Sequence, residues 1–140
     1  MGDFATEGWG TAWVLLCCAV AVHIMDEALH GFLPLYNRTV HMIRTKVSWL
    51  PLPTFTFHVW LAGLIWAVLC AFALTPFAFR DSNWLRPVAV LAGVAMLGNA
   101  LLHLGASAYL RKPVPGVYSS PFLLAASLYL LLSIRSHTLG

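Results

Sequence analysis

Four ionisable side chains, His23, Asp26, Glu27 and His30, follow one another inside an otherwise apolar stretch of the chain. Their spacing is i, i+3, i+4 and i+7, so on a helix turning by about 100° per residue they share an arc of roughly 100°. Asn99 and His103 form a second i, i+4 pair, with Ser107 one turn further on, and His58 stands alone in another apolar run. Imidazoles and carboxylates held together away from water can pass protons to and from a bound molecule. Glu27 is the expected acid or base and His23 its partner. Asp26 shares the proton work, and His58 and His103 orient the reacting groups. Asn99 can polarise a substrate oxygen, and His30 and Tyr118 are expected to help bind the substrate. Isomerisation, cyclisation and hydrolysis of a lipophilic molecule all fit this set, and none of them requires a cofactor.

The same residues suit other chemistry. Several histidines with a carboxylate make an acceptable ligand set for zinc or non-haem iron, drawn from His23, Glu27, His58 and His103. His23 with Glu27, or Glu27 with His30, has the spacing of helix-borne ligands in bundle metal sites. Against a metal, there is no HExxH, and two-metal bundles carry more carboxylates. Haem held by two histidines is a weaker alternative. A proton or metal-ion relay is a third class, although a chain of 140 residues leaves little room for alternating access unless identical chains associate. The plainest reading is a hydrogen-bond network that glues helices together.

The elements carrying these residues follow from composition. Hydrophobic residues make up 60% of the chain and charged ones 9%, against about a quarter charged in soluble domains. That balance points to lipid as solvent. The net charge of +3 comes from loop residues and reads as topology and anionic-lipid contact, and no basic tract with interleaved aromatics suggests nucleic acid. Cys17, Cys18 and Cys70 lie in apolar runs without a CxxC and read as packing thiols. Asp3 and Glu7 near the start give the wrong charge for a cleavable signal, so the first apolar run is expected to persist as a helix.

Four apolar runs, at about 9–35, 55–79, 85–110 and 117–134, each approach or exceed the roughly 20 residues that cross a hydrocarbon core of about 30 Å. They predict an all-α membrane four-helix bundle in a single domain. Residues 36–50 place Val40, Ile43, Val47 and Leu50 at helical spacing among Arg38, His41, Arg44 and Lys46, the pattern of a short interfacial helix. Trp9, Trp13, Trp49 and Trp84 suit interfacial belts. His41 and His137 fall outside the runs and read as solvated. Five loop cations (Arg38, Arg44, Lys46, Arg111, Lys112) oppose three (Arg80, Arg86, Arg135). The excess favours both termini outside, in the cytoplasmic membrane of a bacterium. With alternating directions, His30, His58 and His103 fall within about 5–10 Å of one membrane surface and His23 one to two turns deeper. Costly intramembrane ionisable groups at one depth mark a functional site and predict that His23, Glu27, His58 and His103 face one another.

The run His23-Ile24-Met25-Asp26-Glu27 resembles the motif of the HXXEE family of integral membrane proteins, whose function is largely uncharacterised. That family has two further histidines, for which His58 and His103 are the matches, and a Tyr-x-Pro-Gly element, which Pro113-Val114-Pro115-Gly116 resembles. Asp26 replaces the first glutamate, shortening it by one methylene. Pro113 replaces the tyrosine, leaving Tyr109 or Tyr118 to supply a phenol. The resemblance covers about residues 20–130 and implies a four-helix membrane fold without specifying a reaction.

Overall fold

The computed structural model describes residues 8–138. Asp3, Glu7 and the side chain of His137 lie outside the described residues. Within them the chain is all-helical, with α1 (Gly10–Leu29), α2 (Phe32–Lys46), α3 (Phe57–Ala73), α4 (Thr75–Phe79), α5 (Arg86–Leu110) and α6 (Ser120–Thr138). Three stretches are long and apolar enough to cross a membrane: Gly10–Leu29, Phe57–Phe79 and Arg86–Leu110. The apolar part of α6, Ser120–Ser136, is shorter.

The first run is not one helix to residue 35. Gly31 adopts φ 76°, a left-handed conformation that glycine enters without a Cβ penalty. It ends α1 at Leu29 and starts α2 at Phe32. Pro34 then sits in the first turn of α2, where its missing N–H leaves no helical bond unmade. The amphipathic helix therefore begins four residues earlier than expected, at Phe32 rather than residue 36, and ends at Lys46. The segment after it folds back along α2. Asn37 Nδ2 donates to the Phe55 carbonyl at 2.8 Å, Tyr36 donates to the Pro53 carbonyl at 3.1 Å, and the Arg44 guanidinium donates to the Leu52 carbonyl.

The second run bends at Leu74, and Pro76 falls in the first turn of α4. The fourth helix starts at Ser120, three residues later than the apolar pattern suggests, because residues 114–117 form a turn closed by Val117 N–H on the Val114 carbonyl.

The closest packing is between α5 and α6, and α1 lies against α6. Their shared core holds Leu16 and Ala19 of α1, Ala89 and Ala100 of α5, and Leu123, Ala126 and Leu130 of α6. Gly93 lets α6 approach α5, since a Cβ there would stand 2.9 Å from Leu131 Cδ2. The α3 helix packs mainly on α1 and keeps most of its surface exposed, including Cys70, expected to pack. Trp9 and Trp13 are core residues, not belt residues: they are 1% and 3% exposed. Their indoles meet edge to face, and the N–H groups donate to Asp81 Oδ1 at 2.5 Å and to the Ala71 carbonyl at 3.0 Å. Satisfied indole donors can be buried where the end of one helix is covered by its neighbours. Trp49 and Trp84 are exposed, as an interfacial position requires.

Candidate functional site

The last two turns of α1 carry His23, Asp26 and Glu27, all buried, while His30 caps the helix and is half-exposed. Opposite them α5 presents Asn99 and His103. The loop from α5 to α6 closes the site from a third side. It is pinned by the Val114 N–H donating to Ser107 Oγ at 3.0 Å, which gives Ser107 an anchoring role outside the centre. Gly116 follows at φ 89°. A Cβ there would stand 2.8 Å from His103 Cε1 and 3.0 Å from His23 Cε1. Only a glycine lets the loop backbone lie flat against both imidazoles in this conformation.

The centre is a His–Glu–His arrangement. Glu27 Oε1 lies 3.1 Å from His103 Nε2 and 3.5 Å from His23 Nε2. The two rings meet edge to face with centroids 4.9 Å apart. On its far side His23 Nδ1 is 2.8 Å from Ser119 Oγ. Ser119 itself donates to Asp26 Oδ2 twice, from its backbone N–H at 2.9 Å and its hydroxyl at 2.8 Å. The Gly116 carbonyl is a longer alternative for that hydroxyl at 3.2 Å. A hydroxyl has one proton, and the nearer carboxylate is the stronger acceptor. Toward His23 the serine oxygen therefore accepts, and the proton of His23 sits on Nδ1. Nε2 is then a bare lone pair turned into the centre, where Asn99 Nδ2 donates to it at 3.0 Å.

Asp26 thus acts on the centre through Ser119 rather than by facing it. Its other oxygen, Oδ1, is 2.7 Å from His30 Nδ1. The imidazole N–H is directed to the Asp26 carbonyl at 2.8 Å, so Oδ1 has a close neighbour but no aligned hydrogen bond. Tyr118 lies against His30, ring centroids 5.2 Å apart, and both form an outer rim. Tyr109 is exposed on α5 and brings no phenol to the site.

His58 is the correction. It lies exposed in the first turn of α3, its ring beside Phe57, and is not brought to His23, Glu27 and His103. The ring that reaches His103 from the α2–α3 side belongs to Phe32, at 5.7 Å, which also touches Trp60 at 6.1 Å. Ser119 and Gly116 complete the centre in its place. The sequence signal for Ser119 is the hydroxyl pair Ser119-Ser120 before Pro121, the pattern of a helix start.

A cleft of about 360 Å³ opens beside the centre, between α2, α5 and the following loop. Asn99, His103 and Thr39 supply its polar groups, and most of the rest, Phe32, Leu35, Leu102 and Leu110 among them, is apolar.

Comparison with curated proteins and with solved structures gives no match. A family model described as a protein of unknown function with HXXEE motif matches residues 14–130. That span holds His23, the Asp26-Glu27 pair in the motif's acidic positions, His103, Gly116 and Ser119, and the chain belongs to the HXXEE family.

Proposed function

We propose that the chain is a membrane-embedded enzyme that carries out acid–base chemistry on a lipophilic substrate. In this reading α1, α3 with α4, α5 and α6 cross the bilayer as four spans, and α2 lies in the interface. The termini face outward in a bacterial cytoplasmic membrane. The observation that carries it is Glu27 Oε1 within reach of two imidazole nitrogens, at 3.1 and 3.5 Å, next to an apolar cleft that ends on Asn99 and His103.

The division of labour follows from the wiring. Ser119 and Asp26 hold His23 in one tautomer, so its Nε2 is a ready base. Glu27 lies between that nitrogen and His103 and can carry a proton from one to the other. Asn99 can turn its amide toward a substrate oxygen in the cleft. The apolar lining selects a molecule with a hydrocarbon body, and isomerisation, cyclisation or hydrolysis would each use these groups. Positioned acid–base groups contribute about 10²–10⁴-fold to rate.

The test compares lipid extracts of cells making the wild-type chain, cells lacking it and cells making Glu27→Gln. A lipophilic compound depleted by the wild type and accumulated equally in the other two supports the reading. Identical extracts from all three overturn it.

A further inference from the structure

We infer that His23, Glu27 and His103 bind one divalent transition-metal ion of the zinc or ferrous class, with the Asn99 side chain as a fourth ligand. It rests on the same centre as the proposed function: an ion there would engage His23 Nε2, His103 Nε2 and Glu27 Oε1. In the loaded protein the proton work would fall to the other oxygen of Glu27, and metal binding is measured apart from turnover.

Donor spacing is the first argument. Ligands about 2.0–2.1 Å from a tetrahedral ion are separated from each other by about 3.3 Å. Glu27 Oε1 stands at 3.1 Å from one histidine nitrogen and 3.5 Å from the other. One ligand atom from each of the three buried residues lies within 4.8 Å of the others. A modest rotation of one imidazole would close the histidine–histidine distance around an ion. Two imidazoles and one carboxylate are a nitrogen and oxygen set suited to zinc or iron(II), and poorly suited to magnesium or calcium.

The surroundings of His23 are the second argument. Its Nδ1–H donates to Ser119, which donates to the Asp26 carboxylate. A ligating histidine typically has its other nitrogen fixed through a carboxylate in this way, which orients the ring and makes Nε2 more basic. His23 Nε2 and Glu27 Oε1 stand 3.5 Å apart. In the metal-free centre the Asn99 amide satisfies Nε2, and both atoms can instead offer lone pairs to a cation placed between them.

Asn99 and the cleft supply the third. With the amide turned over, Oδ1 takes the place of Nδ2, 3.0 Å from His23 Nε2, and offers a carbonyl oxygen where a fourth ligand belongs. His103 coordinates through Nε2 in its other tautomer. Glu27 binds through Oε1 and keeps Oε2 for proton transfer. Asn99 stands on the wall of the cleft and is the ligand a substrate oxygen would displace.

The experiment uses the full chain purified in detergent, stripped with a chelator and titrated with zinc against a chromophoric competitor. Stoichiometry is read by elemental analysis. One ion per chain is expected, with an upward shift of the melting temperature on adding zinc. Glu27→Gln and His103→Ala should each weaken binding at least about 100-fold. Ser119→Ala keeps every ligand and should weaken it about 10–100-fold. His58→Ala and Cys70→Ser should bind as the wild type does. No zinc-dependent rise in melting temperature for the wild type overturns the assignment, even where a variant fails to fold. So does equal binding by wild type, Glu27→Gln and His103→Ala.

Discussion

Ser119 Oγ lies 2.8 Å from His23 Nδ1, and this contact decides which imidazole nitrogen carries the proton. The serine proton is committed to Asp26 Oδ2, also at 2.8 Å, so the histidine must donate. Two residues separated by 96 positions in sequence thereby set the state of the ring that faces Glu27.

Ser119→Ala removes the acceptor while leaving the Ser119 backbone N–H on Asp26 in place. A buried imidazole N–H then lacks a partner, which costs about 1–3 kcal/mol. The variant should unfold at lower temperature in detergent. Nitrogen NMR of labelled histidine should show His23 moving from a single tautomer to a mixture. An unchanged His23 signal in the variant would mean that Ser119 does not fix the ring.

Two glycines in helix contacts should respond differently to alanine. At Gly93 the new Cβ meets Leu131 Cδ2 at 2.9 Å and Cγ at 3.0 Å, side-chain atoms that a change of χ1 can move aside. A gain in helix propensity of about 1 kcal/mol should roughly offset the adjustment. At Gly10 the new Cβ meets Phe79 Cδ1 at 2.6 Å and Phe79 Cα at 2.9 Å. Backbone cannot rotate away, so α4 must move, at the 1–3 kcal/mol typical of overpacking, roughly. Thermal unfolding should place Gly93→Ala near the wild type and Gly10→Ala clearly below it. The reverse order would contradict the packing of α1 on α4.

Much of this architecture is legible in the residues. The polar stripe on α1 and the Asn99–His103 pair each have two or more members at helical spacing, so sequence fixes their face as well as their depth. His58 has no polar companion on α3. Its depth could be reasoned from span ends, but nothing in an apolar helix says which way a lone residue points. The break at Gly31 was hidden because apolar Phe32, Leu33 and Leu35 continue the run, and hydropathy does not register a left-handed backbone. Trp9 and Trp13 misled for a related reason. Indoles near a helix end suit an interface and a core equally, and only the neighbours Asp81 and Ala71 decide. Ser119 and Gly116 lie in a loop, where spacing carries no periodic signal and a tertiary contact makes the site.

His58 and His103 should therefore differ sharply under the same substitution. His58→Ala removes an exposed ring whose recorded aromatic contact is Phe57, and stability should stay within about 0.5 kcal/mol of the wild type. His103→Ala strips Glu27 of its 3.1 Å partner in a buried setting. A buried carboxylate oxygen left without its hydrogen-bond partner costs about 1–3 kcal/mol or more. Denaturation midpoints of the two variants would check this. Equal losses at both positions would return His58 to the centre.

The closest test of the centre is a comparison of Gly116 with Gly31. Both have positive φ, 89° and 76°, so alanine at either position carries a similar backbone strain of about 1–3 kcal/mol. Their surroundings differ. A Cβ on Gly31 meets nothing within 4 Å, whereas one on Gly116 falls 2.8 Å from His103 Cε1, 2.9 Å from His103 Nδ1 and 3.0 Å from His23 Cε1. Subtracting the Gly31→Ala destabilisation from that of Gly116→Ala leaves the cost of pushing the two imidazoles apart. That difference should be positive, about 1–3 kcal/mol as for other overpacked sites. Only the Gly116 variant should also broaden or shift the histidine side-chain resonances. If both alanine variants lose the same stability and keep wild-type histidine signals, the loop does not lie against the rings, and the geometry of the His–Glu–His centre is wrong.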